Sequence, residues 1–506
     1  MKKIKVLILA LLVLGSCKNM DFGDINQDPI GPNKPEPNGL LAGAILNFFN
    51  NSGRSYLTNP TFYIQWQAQN IYTSEMQYAD QPISWNPWYV QVLSNLKKHN
   101  DYIEEHRAEY EANSEWDPGN QIGAGKIMMA YIFKFVTDIY GDIPFSEALD
   151  PNNKTPKYDN QIQIYHSIID MLKDARDNMD PANPGPHGDI IFNGDVSKWQ
   201  KLANSLILHA ALQLSNVSSE VAYAQAEFNS ALSHPAGVIE NLDDEPWIKF
   251  NDYSSSYQNP FSRLRRSDYL LTQEFTDALK GNAHGLGSCS PSYNHTADLR
   301  EYIFSNDPLD SGKAYSCTAG GSGSAQMSDL IWDPKAPLPF YTAAWTYLDR
   351  AEAAARGWTS ESFDDMLTNA IEKSYESLSI HYLPNYFSTF QSAGASFAAA
   401  RVADANDANY GAAGGDATKA KLEVVAEEKW VAYFPMGFEG WTQWRRLSDY
   451  LVLTPHPQPL NATGQIPRRY AYPQNESTFN PTNYSQAVQD LSPAEDRNDS
   501  RVPWDQ

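Results

Sequence analysis

The stretch that decides the fold is residues 121–149, QIGAGKIMMAYIFKFVTDIYGDIPFSEAL. Between Gly125 and Tyr140 the only charged residues are Lys126, Lys134 and Asp138. At 3.6 residues per turn these three fall within roughly a third of the circumference. The other positions are mostly Ile, Met, Tyr, Phe, Val and Ala, so this helix must be covered on most sides. Gly141 is expected to supply a left-handed cap and Pro144 forbids continuation, so the helix stops at 140–144.

Outward from there, helical periodicity comes in pairs. Residues 121–138 are answered by 162–179, where Ile162, Tyr165, Ile168, Ile169, Leu172 and Ala175 hold helical spacing. Residues 198–214 are followed by 221–232, 339–356 by 363–378, and 418–434 by 438–447. Small residues at close contacts in such pairs suggest tetratricopeptide-like packing, although the spacing is not a clean repeat. Earlier in the chain, 39–51, 60–72 (with Asn59 as cap) and 89–110 read as helices. Residues 251–329 and 387–416 are rich in Gly, Ser, Asn or Ala and read as long loops. Only 269–280 looks helical within the first of them. Loops of that length are functional or disordered, and the aromatics Tyr253, Tyr257, Phe261, Tyr293 and Tyr315 argue for ordering. No Pro/Gly linker separates two apolar halves, so residues 39–506 read as a single domain.

The first residues carry an address. Lys2, Lys3 and Lys5 precede the apolar run 6–14, too short to span a bilayer, which reads as a secretory signal over 1–16. Leu14-Gly15-Ser16-Cys17 resembles a bacterial lipobox, which makes Cys17 the expected lipid anchor. Residues 17–38 are dense in Pro, Asn, Gly and Asp and read as a tether. Loss of 1–16 removes three lysines and moves the formal charge from −23 to −26. Such an acidic surface repels nucleic acid and anionic headgroups, so no nucleic-acid partner is expected. Membrane contact is expected through the lipid alone.

Tests for chemistry are mostly negative. Gly123-Ala-Gly125-Lys126 lacks the glycine and the Ser/Thr of a phosphate loop, with Asn120 and Ile127 in their places. No H-E-x-x-H and no G-x-S-x-G is present. His99 and His106 read as surface histidines. No metal and no cofactor is expected. Cys289 and Cys317, 28 residues apart in an exported chain, are either bridged or free. A bridge would contribute about 3–4 kcal/mol by loop entropy.

Several motifs together carry a family resemblance. They are the helix ending in Asp138-Ile-Tyr-Gly-Asp-Ile-Pro-Phe-Ser-Glu-Ala-Leu149 and the run 22–29 after the lipobox. Trp345-Thr-Tyr-Leu-Asp-Arg-Ala-Glu352-Ala-Ala-Ala-Arg356-Gly-Trp358 follows. Last come Glu428-Lys-Trp430, Gly437-Phe-Glu439-Gly-Trp441-Thr-Gln-Trp444-Arg-Arg446 and Ile466-Pro-Arg-Arg469-Tyr-Ala-Tyr-Pro473. In this order they resemble the SusD/RagB family of nutrient-binding outer-membrane lipoproteins. Asp349-Arg350 departs from the apolar residues commoner there. The resemblance implies a mostly α fold. About four divergent tetratricopeptide-like helix pairs would support a long-loop ligand-binding face. It also implies capture of an oligosaccharide or other small nutrient, passed to a SusC-like TonB-dependent transporter at the cell exterior. Glu439 with Arg445 or Arg446 reads as an ion pair holding the terminal segment. The rival classes are a helical-repeat enzyme acting on glycans and a peptide-binding interaction module.

The residues suit a sugar independently. Tyr outnumbers Phe by 29 to 21 and there are 13 Trp. Their rings offer an apolar face with a polar edge. The densest group is Tyr72, Tyr78, Trp85, Asn86, Trp88 and Tyr89, with Tyr257, Tyr293 and Tyr315 added from the long loop. Trp85, bracketed by Pro82 and Pro87, is the expected platform.

Overall fold

Helix α1 (Pro37–Ser52) packs on α2 (Ser94–Glu105), which packs on α3 (Pro118–Tyr140), the helix of the quoted stretch; α1 itself reaches α3 through the Phe48 ring, set against Tyr131 and Phe135. The computed structural model describes residues 35–80, 83–281, 296–308, 312–313 and 324–505. The signal segment, Cys17 and most of the tether lie outside the described residues, as do Tyr293, Tyr315, Cys289 and Cys317. Residues Pro37–Gln506 form one compact unit.

Within α3, Asp117 caps the start by accepting from the Asn120 amide at 2.8 Å, with Pro118 in the first turn. Only Gly119, Lys126 and Met129 escape full burial. Gly125 admits the close approach of α2: a Cβ there would stand 2.1 Å from Asn100 Oδ1, which would have to swing away. Gly141 ends the helix at φ +92°, ψ −129°, a positive φ but not the left-handed helical cap expected. The three charges do not make a solvent stripe either. Lys134 and Asp138 are buried and bonded to each other at 2.8 Å.

The chain then continues through α4 (Gln161–Asp177), α5 (Val196–Gln213) and α6 (Val221–Leu232). After the long loop region come α7 (Ala343–Ala355), α8 (Phe363–Tyr382), α9 (Phe387–Ala405), α10 (Ala417–Ala432) and α11 (Gly437–Leu447). The pairs α3/α4, α5/α6, α7/α8 and α10/α11 each pack on one another, and α5 meets α7 to join the two series. Asn160, Asp195, Thr342, Ser362 and Asp416 cap five of these helices through their side chains. The mostly helical, tetratricopeptide-like architecture is therefore as expected.

Three local readings need correcting. Helix α9 occupies most of the supposed loop 387–416. Its Gly, Ser and Ala residues are there to allow contact, since a Cβ at Gly394 would meet Tyr375 of α8 at 3.0 Å. The helix expected over 60–72 runs only from Asn59 to Tyr63, so Asn59 lies inside it rather than capping it, and it gives way at Gln65 (φ +58°) to strand β1 (Gln67–Gln69). His99 is not on the surface: its ring nitrogens lie 2.9 Å from Pro37 O and 3.2 Å from Gln121 O in the interior.

The strands are short pairs that pin loops to helices. They are β2 (Ile143–Pro144) with β3 (Tyr158–Asp159), and β4 (Trp247–Ile248) with β6 (Leu338–Pro339). β1 pairs antiparallel with β5 (Tyr269–Leu271), Ala68 opposite Leu270.

The terminal motifs are architectural, but their pairing differs from expectation. Glu439 contacts neither Arg445 nor Arg446. Its carboxylate accepts from the Tyr131 hydroxyl at 3.1 Å and faces His209 Nε2 at 3.5 Å and Lys134 Nζ at 3.9 Å. Arg446 closes on Glu352 of α7, which also takes Lys429 at 2.7 Å. Arg445 donates to the carbonyls of Asp138 and Arg468 at 2.7 and 2.6 Å. Asp349, the departure noted in sequence, accepts from Lys429 and faces His209 Nδ1 at 2.9 Å. The 466–473 motif docks on the end of α3, with the Tyr470 amide donating to Ile139 O at 2.9 Å.

Candidate ligand-binding face

The β1–β5 pair fixes where the aromatic loops emerge. Past β1, the Asn70 amide donates to Asp268 O at 2.7 Å, which ties the 70–75 turn to the 263–268 turn. Tyr72 stands at the head of this junction with φ +59°. A left-handed tyrosine costs on the order of 1–3 kcal/mol unless its surroundings fix it. The ring is 67% exposed, and the Arg265 guanidinium lies over it at 5.6 Å. Beside it, Ile71 and Asn70 are exposed.

The polar frame is set by salt links and caps. Arg54 bonds Glu75, whose other oxygen accepts from Gln69 Nε2 at 2.6 Å. Arg265 closes on Asp268 at 2.6 Å, which raises its pKa. Lys313 Nζ donates to Gln69 O at 2.8 Å, and Arg263 donates to Asn50 O at 3.1 Å. Burial pushes the pKa of both Arg263 and Lys313 down. Phe62 stacks on Tyr269 at a ring-centroid distance of 6.0 Å, and Trp332 lies tilted against Tyr269 at 6.1 Å.

The structure divides the expected site residues. Tyr72 and Asn86 are exposed. Tyr257 is 45% exposed on the Ser255–Tyr257 turn against α1, with Tyr253 almost fully exposed beside it. Tyr78, Trp85 and Trp88 are core, which corrects their reading as platforms. Trp85 is 3% exposed, its ring within 5.2–5.9 Å of Tyr89, Tyr140, Tyr158 and Tyr472. Pro87 does not free it, because Trp85 O accepts from the Trp88 amide and starts the turn that leads into Pro87–Leu93, and Pro82 lies outside the described residues. Trp88 packs on Tyr56 and Phe135, and the Tyr78 hydroxyl accepts from the His456 amide. Tyr89 is half-buried, its hydroxyl donating to Pro144 O at 2.6 Å.

Sequence reading missed the arginines. The run Arg263-Leu-Arg265-Arg266 puts three cations in four residues of an acidic chain, and that signal was available.

A cavity of about 600 Å³ lies elsewhere, between α2, α3, α4 and the 145–151 turn. Met129, Phe133, Phe145, Leu149 and Met171 make it apolar, and its rim lysines are already closed as Lys97–Asp101 and Lys126–Asp174. That lining offers a sugar few free hydrogen-bonding groups. Among the described residues no group of three His, Cys, Asp or Glu is placed to hold a metal ion. No helix among them is long and apolar enough to cross a membrane.

Residues 29–473 match a family profile described as "SusD-like_2: Starch-binding associating with outer membrane". The chain belongs to the SusD-like family. That description is of binding, so this SusD-like chain is a binding protein and not an enzyme. No curated protein matches it. Among solved structures, a "chitin-binding protein" superimposes with TM-score 0.73 at 22% identity, covering 93% of this chain and 100% of that one. A SusD homologue from Bacteroides fragilis gives 0.74 at 21%, covering 94% and 100%. A chitin-binding SusD homologue from Flavobacterium johnsoniae gives 0.66 at 19%, covering 92% and 98%. At these identities the superpositions carry the SusD-like fold.

Proposed function

We propose that this SusD-like protein captures an oligosaccharide at the cell surface and hands it to a SusC-like TonB-dependent outer-membrane transporter. The carrying observation is Tyr72. A tyrosine is held in a left-handed conformation, two-thirds exposed and backed on one side by Arg265. Such a ring presents one free face to the C–H side of a pyranose, while Asn70 and the nearby guanidinia reach its hydroxyls. Tyr257 and Tyr253 add exposed aromatic rings against α1. Acylation at Cys17 anchors the protein to the outer membrane, with the tether placing the domain outside.

The chitin-binding names of two similar structures support a glycan as the ligand class. A glycan array probed with the mature chain tests the reading, followed by product analysis on each hit. Binding that leaves the glycan intact over long incubation is expected. Steady product release that copurifies with the protein contradicts it, as does an array without hits.

A further inference from the structure

The cavity between α2, α3, α4 and the 145–151 turn is built for something other than a sugar. Its volume, about 600 Å³, is in the range that holds a small organic molecule. Its apolar lining is Met129 and Phe133 of α3, Phe145 and Leu149 of the turn, and Met171 of α4. Two smaller hollows adjoin it. One, of about 310 Å³, shares Lys97 and Asp101 with it, and the other, of about 280 Å³, shares Lys126. At those boundaries Lys97 closes on Asp101 at 2.6 Å and Lys126 closes on Asp174 at 2.5 Å. The ion pairs thus divide the surface into compartments. A partner helix laid across all three would have to break both pairs, whereas a compact molecule sits between them.

The wall made by the turn is preformed. Asp159 of β3 accepts from the Phe145 and Ser146 amides at 3.2 and 2.7 Å, and Glu147 accepts from the Lys157 amide at 3.1 Å. Phe145 is held edge-on to Phe133, with ring centroids 4.6 Å apart. Two rings and two thioethers in one cavity favour an aromatic guest. Sulfur and ring edges both gain from contact with a π-face, and unbranched methionine adjusts to its outline. Charge is balanced around the lining, with Lys97 and Lys126 against Asp101 and Asp150. Neither sign of guest is favoured there, and an uncharged one loses no ionic hydration on entry. One polar contact is on offer. Among the described residues the Asn100 amide nitrogen meets only the Met129 sulfur, a weak acceptor, at 3.5 Å. A hydroxyl or ester oxygen on the guest is a better partner for it.

We propose that this cavity binds a compact, uncharged aromatic molecule, a phenol or an aryl ester, independently of the Tyr72 face.

The test is fluorescence titration of the mature chain with N-phenyl-1-naphthylamine, which is uncharged and brightens on leaving water. The expected result is a saturable rise at one equivalent, reversed by 1-naphthol and by ethyl ferulate. The anion 1-naphthoate and the alkyl chain of 1-decanol should each compete about tenfold less well. Met171→Trp fills the cavity and should weaken binding about tenfold or more, whereas Met171→Leu, of similar volume, should keep it. Leu149→Trp gives the same reading from the turn where a thermal melt shows Met171→Trp to be unfolded. Asn100→Leu should weaken 1-naphthol about fivefold, the size of one hydrogen bond. Tyr72→Ala should leave the probe bound as before. Absence of a saturable signal overturns the proposal, as does full binding by a folded Met171→Trp or Leu149→Trp protein. Stronger competition by 1-naphthoate or 1-decanol overturns the ligand class, and a loss in Tyr72→Ala puts the probe on the loop face instead of in the cavity.

Discussion

Lys134 of α3 and Glu439 of α11 face each other at 3.9 Å in the interior, with side chains only 3% and 5% exposed. Asp138 completes the charge balance one turn along α3, at 2.8 Å from the same ammonium. His209, Asp349, Lys429, Glu352 and Arg446 extend the network through α5, α7, α10 and α11. Five helices therefore meet on charge at the centre of an otherwise apolar packing.

Removing one member should be worse than removing two. Lys134→Met leaves Glu439 and Asp138 buried without their shared cation and is expected to cost about 3–5 kcal/mol in denaturant unfolding. Lys134→Met combined with Glu439→Gln should recover part of that loss, because one uncompensated charge goes with it. A single Lys134→Met variant as stable as the parent would contradict the network's role.

Two sets of carboxyls predict opposite pH trends. Burial alone would raise Glu439, but Lys134, His209 and Tyr131 outweigh it and hold the carboxyl down to about 2. A depressed pKa gives stability that is complete above the unfolded value near 4.5 and lost as pH falls toward 2. Glu245 runs the other way: burial raises it to about 7, against hydrogen bonds from Ser377, Trp247 and the Ala343 amide. Its contribution is complete below the unfolded value and is lost as pH rises from about 4.5 through 7, by roughly 3 kcal/mol. Glu245→Gln should flatten the stability profile between pH 5 and 8 and leave the acid limb unchanged. An unaltered slope would place Glu245 among the ionised carboxylates.

Trp85 separates core from site. Trp85→Ala empties a pocket between Tyr89, Tyr140, Tyr158 and Tyr472 and should cost about 3–5 kcal/mol. Glycan affinity, measured where the variant is folded, should be retained. Lost affinity at parental stability would return Trp85 to the binding face.

The proposed anchoring rests on Cys17. Cys17→Ala is expected to move the protein out of the outer-membrane fraction when cells are fractionated. Retention there as before would contradict the lipid anchor.

What the sequence made legible follows from which interactions are periodic. The pairs α3/α4, α5/α6, α7/α8 and α10/α11 were readable because apolar residues at helical spacing report a buried face whatever covers it. Helix α9 was not, since its small residues and even distribution hide the face on α8 that Gly394 makes. The partner of Glu439 was hidden for another reason. Arg445 and Arg446 are near it in sequence, but Lys134, some 300 residues away, reaches it only through the tertiary fold. At the site, Tyr72 and Trp85 look alike as aromatics beside polar residues. They differ in surroundings: Tyr72 stands two-thirds exposed at the junction of two surface turns, whereas Trp85 begins a helical turn that folds its ring inward.

The central claim, that Tyr72 heads the sugar-binding face, is tested most directly by calorimetry on Tyr72→Ala with a glycan that the parent binds, alongside a thermal melt without ligand. An exposed ring supports little packing, so the melt should not move. Affinity should fall by about 1–3 kcal/mol, the range of a ring that loses its stacked partner. Unchanged affinity in a Tyr72→Ala protein with a parental melt would contradict the account.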